Sequence, residues 1–105
     1  MLRIYNVILE VQRMLVPVID DIERHDRDLA RQLRRSSSSM CLNTGEGSGS
    51  RGGTRMERYS NALASAVETG CNLDSALAMQ YIEAIDPRLL DKLDHVRAVL
   101  YKITH

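Results

Sequence analysis

The stretch RRSSSSMCLNTGEGSGSRGG, Arg34 to Gly53, decides how the chain is read. Its serines and glycines have the composition of a flexible spacer. A spacer needs a domain on each side, and 105 residues suffice for one modest hydrophobic core. Positions Leu29, Leu33, Ser36 or Ser37, Met40 and Thr44 recur at helical spacing and run straight into the serines. Ser36 to about Glu46 therefore reads as the second half of a helix, and about 47–53 as a connection. Serine costs a helix only about 0.5 kcal/mol per residue, and its small side chain lets a neighbouring helix approach.

Outward from this stretch the pattern stays helical. Ile4, Ile8, Val11, Leu15, Val18 and Ile22 form one face, widened by Val7, Met14 and Ile19, with a bend expected at Pro17. Asp26 can cap the second helix. Thr54 and Glu57 have the spacing of a capping box for a third helix. Its stripe would be Met56, Tyr59, Leu63, Ala66 or Val67, Gly70, Leu73, Leu77 and Tyr81. Ala62, Ala66 and Gly70 make a small-residue ridge, which suggests a close helix contact at Gly70. Asp86 and Pro87 open a fourth helix with Leu89, Leu93, Val96, Leu100 and Ile103 inward, and Leu90 and Tyr101 beside them. No segment alternates long enough for a strand. The expected fold is all-α: one antiparallel up-down-up-down four-helix bundle over residues 1–105, with helices at about 3–24, 27–46, 54–83 and 87–103. With no Trp or Phe and four Tyr, its core must be aliphatic.

Formal net charge is zero, but charge is segregated. Residues 31–58 hold Arg31, Arg34, Arg35, Arg51, Arg55 and Arg58 against Glu46 and Glu57, a net +4, while the flanking segments each carry −2. Two functions suit these arginines: a phosphate-binding face whose affinity falls with salt, or exposed ion pairs that contribute little.

Other chemistries are poorly supported. Gly47 to Gly52 fits GxGxxG, but a dinucleotide site needs a preceding strand, and a P-loop needs a Gly-Lys-Ser/Thr sequence. A di-iron bundle needs Glu-x-x-His pairs, which the sequence lacks. His25, His95 and His105 read as solvated, and no serine is marked as a nucleophile. Cys41 and Cys71 have no CxxC spacing and read as small buried residues in a reducing cytosol. The N-terminal apolar run is interrupted by Glu10, Gln12 and Arg13, too early for a signal sequence or membrane span. The expectation is a cytoplasmic protein with no enzymatic activity, cofactor, metal or membrane partner.

Gln32 to Gly49 also resembles the central motif of the bacterial four helix bundle, or intervening-sequence, protein family. That motif runs Gln-Leu-Arg-Arg-Ala-Ala-x-Ser-Ile-x-x-Asn-Ile-Ala-Glu-Gly. Gln32, Leu33, Arg34, Arg35, Ser39, Asn43, Glu46 and Gly47 match in register. Ala62 to Glu68, followed by Leu73, is similar to a second family segment, Ala-x-Gly-Ser-Leu-x-Glu. Departures include Ser36 and Ser37 for alanines, Cys41 for proline, Thr44 for isoleucine, Gly45 for alanine, Ala64 for glycine and Ser50 for a basic residue. The resemblance implies a four-helix bundle, and related bundles assemble as homopentamers. Members are encoded within intervening sequences of ribosomal RNA genes. A relative, the accessory protein of diversity-generating retroelements, binds a reverse transcriptase and nucleic acid through a basic surface. The leading expectation is a non-enzymatic homo-oligomeric scaffold binding RNA or a ribonucleoprotein through Arg31, Arg34, Arg35, Arg51, Arg55 and Arg58. The alternative is a protein-interaction module with no nucleic-acid binding. The motif residues Asn43, Glu46, Ser65 and Glu68 are candidates for a buried polar network that fixes helix register.

Overall fold

The computed structural model describes residues 2–105, and the helices are α1 Ile4–Glu23, α2 Arg27–Ser48, α3 Gly52–Ala78 and α4 Pro87–Thr104. Each packs on its neighbour in chain order, and α4 closes back on α1, giving the up-down-up-down bundle. The most extensive contact is α2 on α3. The core is aliphatic and includes Ile8, Leu15, Ile22, Leu33, Met40, Leu73, Leu93 and Leu100.

Side-chain caps account for two of the four helix starts. Asp26 Oδ1 accepts from the Leu29 N–H at 2.9 Å and caps α2, and Asp86 Oδ1 accepts from the Arg88 N–H at 2.9 Å above Pro87. α1 runs unbroken through Pro17, and its inward stripe passes through Ile19 in place of Val18. A period of 3.6 residues carries the stripe from Leu15 to the fourth residue onward, which is Ile19.

The expected capping box at Thr54 and Glu57 does not form. α3 starts earlier, at Gly52, whose φ of +57° is a left-handed value that suits glycine, and its N-cap Arg51 makes no side-chain cap bond. The other end of α3 comes earlier than expected, at Ala78. Gln80 takes the left-handed conformation (φ 63°), and the Tyr81 N–H donates to the Ala76 carbonyl at 2.9 Å while the Gln80 N–H donates to Leu77 at 3.1 Å. This Schellman closure releases Tyr81 from the helix, and its ring stacks on His25 of the α1–α2 corner with centroids 5.4 Å apart.

The inward face of α3 also differs from the expected stripe. Met56, Val67 and Leu77 are exposed, while Tyr59, Ala62, Ser65, Ala66, Thr69, Asn72, Leu73 and Ala76 are buried. The cause lies in α2, which buries Ala30, Ser36, Ser37, Cys41, Thr44 and Gly47 among its larger residues. A face this small leaves no gap only if the neighbour comes close with small residues of its own. Of the two cysteines, Cys41 is buried and Cys71 is exposed.

The close approach falls at Gly47, not Gly70. A Cβ on Gly47 would stand 2.5 Å from Tyr59 Cε1, whereas one on Gly70 would meet Arg97 Nη1 at an ordinary 3.6 Å. Gly47→Ala is therefore expected to destabilise the fold by about 1–3 kcal/mol in chemical denaturation, through overpacking. Gly70→Ala should be neutral or stabilise by up to about 1 kcal/mol, from helix propensity.

Candidate nucleic-acid interface

The serines of the opening stretch form the seam between α2 and its neighbours. Ser39 Oγ accepts from Ser65 Oγ at 2.8 Å and from Asn43 Nδ2 at 3.0 Å. Ser36 Oγ accepts from Asn72 Nδ2 at 3.3 Å and donates to the Leu33 carbonyl at 3.2 Å. Thr69 Oγ1 lies 2.9 Å from both Ser36 Oγ and the Ser65 carbonyl, so its single proton serves one at a time. On the other side, Gln12 Nε2 of α1 donates to the Ser37 carbonyl at 3.2 Å. Thr44 is fully buried with its hydroxyl donating to the Met40 carbonyl at 2.8 Å. Of the four motif residues, Asn43 and Ser65 are joined through Ser39. Glu46 is exposed and pairs with Arg58 at 3.0 Å, and Glu68 is exposed beside Arg35 in a second, polar cleft. The bonds from Gln12, Ser36, Thr69 and Asn72 went unrecognised in the sequence. For the bonds to α3 the signal was a polar residue at each of Ser65, Thr69 and Asn72, one turn apart on that helix.

Above this seam α2 and α3 leave an open cleft of about 430 Å³, lined by Arg34, Arg35, Ser38, Ser39, Leu42, Asn43, Glu46 and Arg58. On α2, residues 35, 38, 39, 42 and 46 share one helical face, a spacing that identifies Ser38 and Leu42 as cleft residues in the sequence. The structure thus gathers three of the six arginines. Arg31 lies beyond Arg34 with Glu23 and Arg27, while Arg51 and Arg55 sit at the α2–α3 corner, where Arg55 Nε donates to the Ser50 carbonyl at 2.8 Å.

Ion pairing divides the arginines again. Arg34 binds Glu23 at 2.8 Å, Arg58 binds Glu46, and Arg31 binds Asp28. Among the described residues Arg35, Arg51 and Arg55 have no such partner. The hydrogen bond from Arg34, followed by its charge, holds the Glu23 carboxyl below the usual range, and the same bond raises Arg34. Glu23 and Asp28 precede the +4 segment, so part of its charge is neutralised from outside. Of the histidines, His25 stacks on Tyr81, His105 stacks on Tyr101, and His95 is exposed.

Bundle order, the hydrogen-bonded seam and the arginine-lined cleft define an all-helical protein whose distinctive surface is one helix pair, α2 and α3. The family model described as 23S rRNA-intervening sequence protein matches residues 2–102, and the chain belongs to that family. No curated protein and no solved structure matches it. No helix of the described residues is long and apolar enough to cross a membrane.

Two measurements check the seam and the cleft. Ser36→Ala leaves Asn72 without its acceptor and should cost about 1–2 kcal/mol, whereas Ser38→Ala, at an exposed position, should change stability little. In an Asn72→Ala background the Ser36→Ala penalty should shrink. By NMR titration Glu23 should protonate below an ordinary glutamate and return toward the ordinary range in Arg34→Ala. A folded-state value below the unfolded one stabilises the protein above the unfolded pKa. That stability disappears as pH falls through the folded value, so the pair's contribution is lost on the acid side.

Proposed function

We propose that the protein is a non-enzymatic, self-associating helical scaffold in the cytoplasm that binds RNA, or RNA within a ribonucleoprotein, on its α2–α3 face. The observation that carries this reading is the meeting of Arg34, Arg35 and Arg58 in one open cleft with the hydroxyls of Ser38 and Ser39 and the amide of Asn43. Guanidiniums offer forked donors to phosphate oxygens, and hydroxyls and amides add neutral hydrogen bonds that fix orientation. Arg35 is the central contact, because it has no carboxylate to release before meeting phosphate.

Self-association draws support from the α3–α4 side. Val67 and Leu77 lie three and seven residues from Gly70, and Leu90 and Tyr101 lie seven and four residues from Arg97. Gly70 and Arg97 face each other across the helix pair, so these four exposed apolar side chains share one face. Assembly would repeat the cleft around the particle and multiply a weak interaction.

The competing reading, a protein-interaction module without nucleic-acid binding, is favoured by the three arginines already paired within the chain. Arg35→Ala separates the two. In fluorescence polarisation at low salt it should weaken binding to structured RNA several-fold, with a salt slope lower by about 0.7–0.9, and leave the melting temperature unchanged. RNA binding that is absent, or indifferent to this substitution, would sink the RNA reading. Light scattering should give a particle several times 11.9 kDa, and Val67→Glu with Tyr101→Glu should reduce it to monomers.

A further inference from the structure

Resting on the RNA reading above, we infer that the α2–α3 cleft takes an unpaired nucleotide of a single strand or loop, with its base against Leu42, and does not track a duplex. Leu42 is 61% exposed although it lines a cleft whose other members are all polar or charged. On α2 it comes seven residues after Arg35 and four before Glu46, so it lies about 10 Å along the helix from one and about 6 Å from the other. An apolar side chain thus stands between the Arg35 guanidinium and the Arg58–Glu46 pair.

This order of groups does not suit a duplex. A helix of paired strands offers its rim of phosphates, and its stacked bases leave Leu42 nothing apolar to cover. The Glu46 carboxylate would also face phosphate charge. An unpaired nucleotide meets the same groups favourably: its phosphate goes to Arg35, and the face of its base covers Leu42. Its N–H edge faces acceptors. Asn43 uses its Nδ2 on the Ser39 carbonyl and hydroxyl, which leaves its Oδ1 as an acceptor. Glu46 uses Oε2 on Arg58, which leaves Oε1. The volume of about 430 Å³ falls within the range of sites for ligands of nucleotide size.

The test uses the full chain with two probes, a short unstructured RNA oligonucleotide and a blunt duplex of the same sequence, measured by fluorescence polarisation at low salt. The single strand should bind about tenfold more tightly than the duplex. Leu42→Ala should weaken the single strand about three- to tenfold and leave the duplex value unchanged. Leu42→Trp, which enlarges the platform, should tighten the single strand. Leu42 is exposed, so neither variant disturbs the core, and circular dichroism verifies the fold. Duplex affinity equal to or above that of the single strand, or a single-strand affinity indifferent to both Leu42 variants, overturns this inference while the RNA reading stands. Failure of both probes to bind overturns the RNA reading and this inference with it.

Discussion

The close approach of α2 and α3 is the constraint from which the rest of the structure follows. Ser36, Ser39 and Gly47 on its α3 side leave α2 too little apolar volume to fill a gap of ordinary helix separation. The deficit is made up by bringing α3 in, with Ala62, Ser65, Ala66 and Thr69 turned toward the seam and the Tyr59 ring lodged over Gly47. Once the helices are that near, hydroxyls cannot keep water as a partner, and they bond across the interface: Ser39 to Ser65, and Ser36 to Thr69 and Asn72. The seam is therefore small and polar at once, and the polarity specifies register because a slip by one residue would strand these groups.

The same rotation of α3 explains two surfaces. Turning the small residues inward moves Val67 and Leu77 outward, where they join Leu90 and Tyr101 on the α3–α4 side. It also places Arg58 across from Glu46 and closes the end of the cleft that begins at Arg34 and Arg35. The two outer faces of α3 are thus consequences of a single packing decision made by the serines of α2.

The fold was legible in the sequence to the extent that local signals governed it. Asp26, Asp86 and Pro87 are caps whose chemistry is contained within one turn, and they act as their spacing indicates. The stripe of α1 contains only aliphatic residues inward, so periodicity placed it to within one residue. α3 resisted for a physical reason. Ranking residues by hydrophobicity assigns Met56 and Leu77 to the core and leaves Ala66 and Val67 as alternatives, yet the buried face, with Ala66 inward, is set by the dimensions of α2, a tertiary property. Likewise Thr54 and Glu57 have capping-box spacing, but the left-handed conformation open to Gly52 lets the helix begin before them. Gly70 looked like the contact glycine because it interrupts a long helix, whereas Gly47 lay in what read as a loop.

The cleft divides along the same line. Its arginines were visible as a local excess of charge, but charge counted along the chain cannot see Glu23 reaching Arg34 from α1 or Glu46 reaching Arg58 across the hairpin. After pairing, the contrast within the cleft matters more than its net charge: an unpaired guanidinium at Arg35, an apolar surface at Leu42 and a carboxylate at Glu46 follow one another along α2. A uniform basic strip attracts any polyanion, whereas alternating character can match only a ligand that alternates too. A nucleotide freed from pairing is such a ligand, with phosphate charge at one end, an apolar base face in the middle and a hydrogen-bonding edge beyond it.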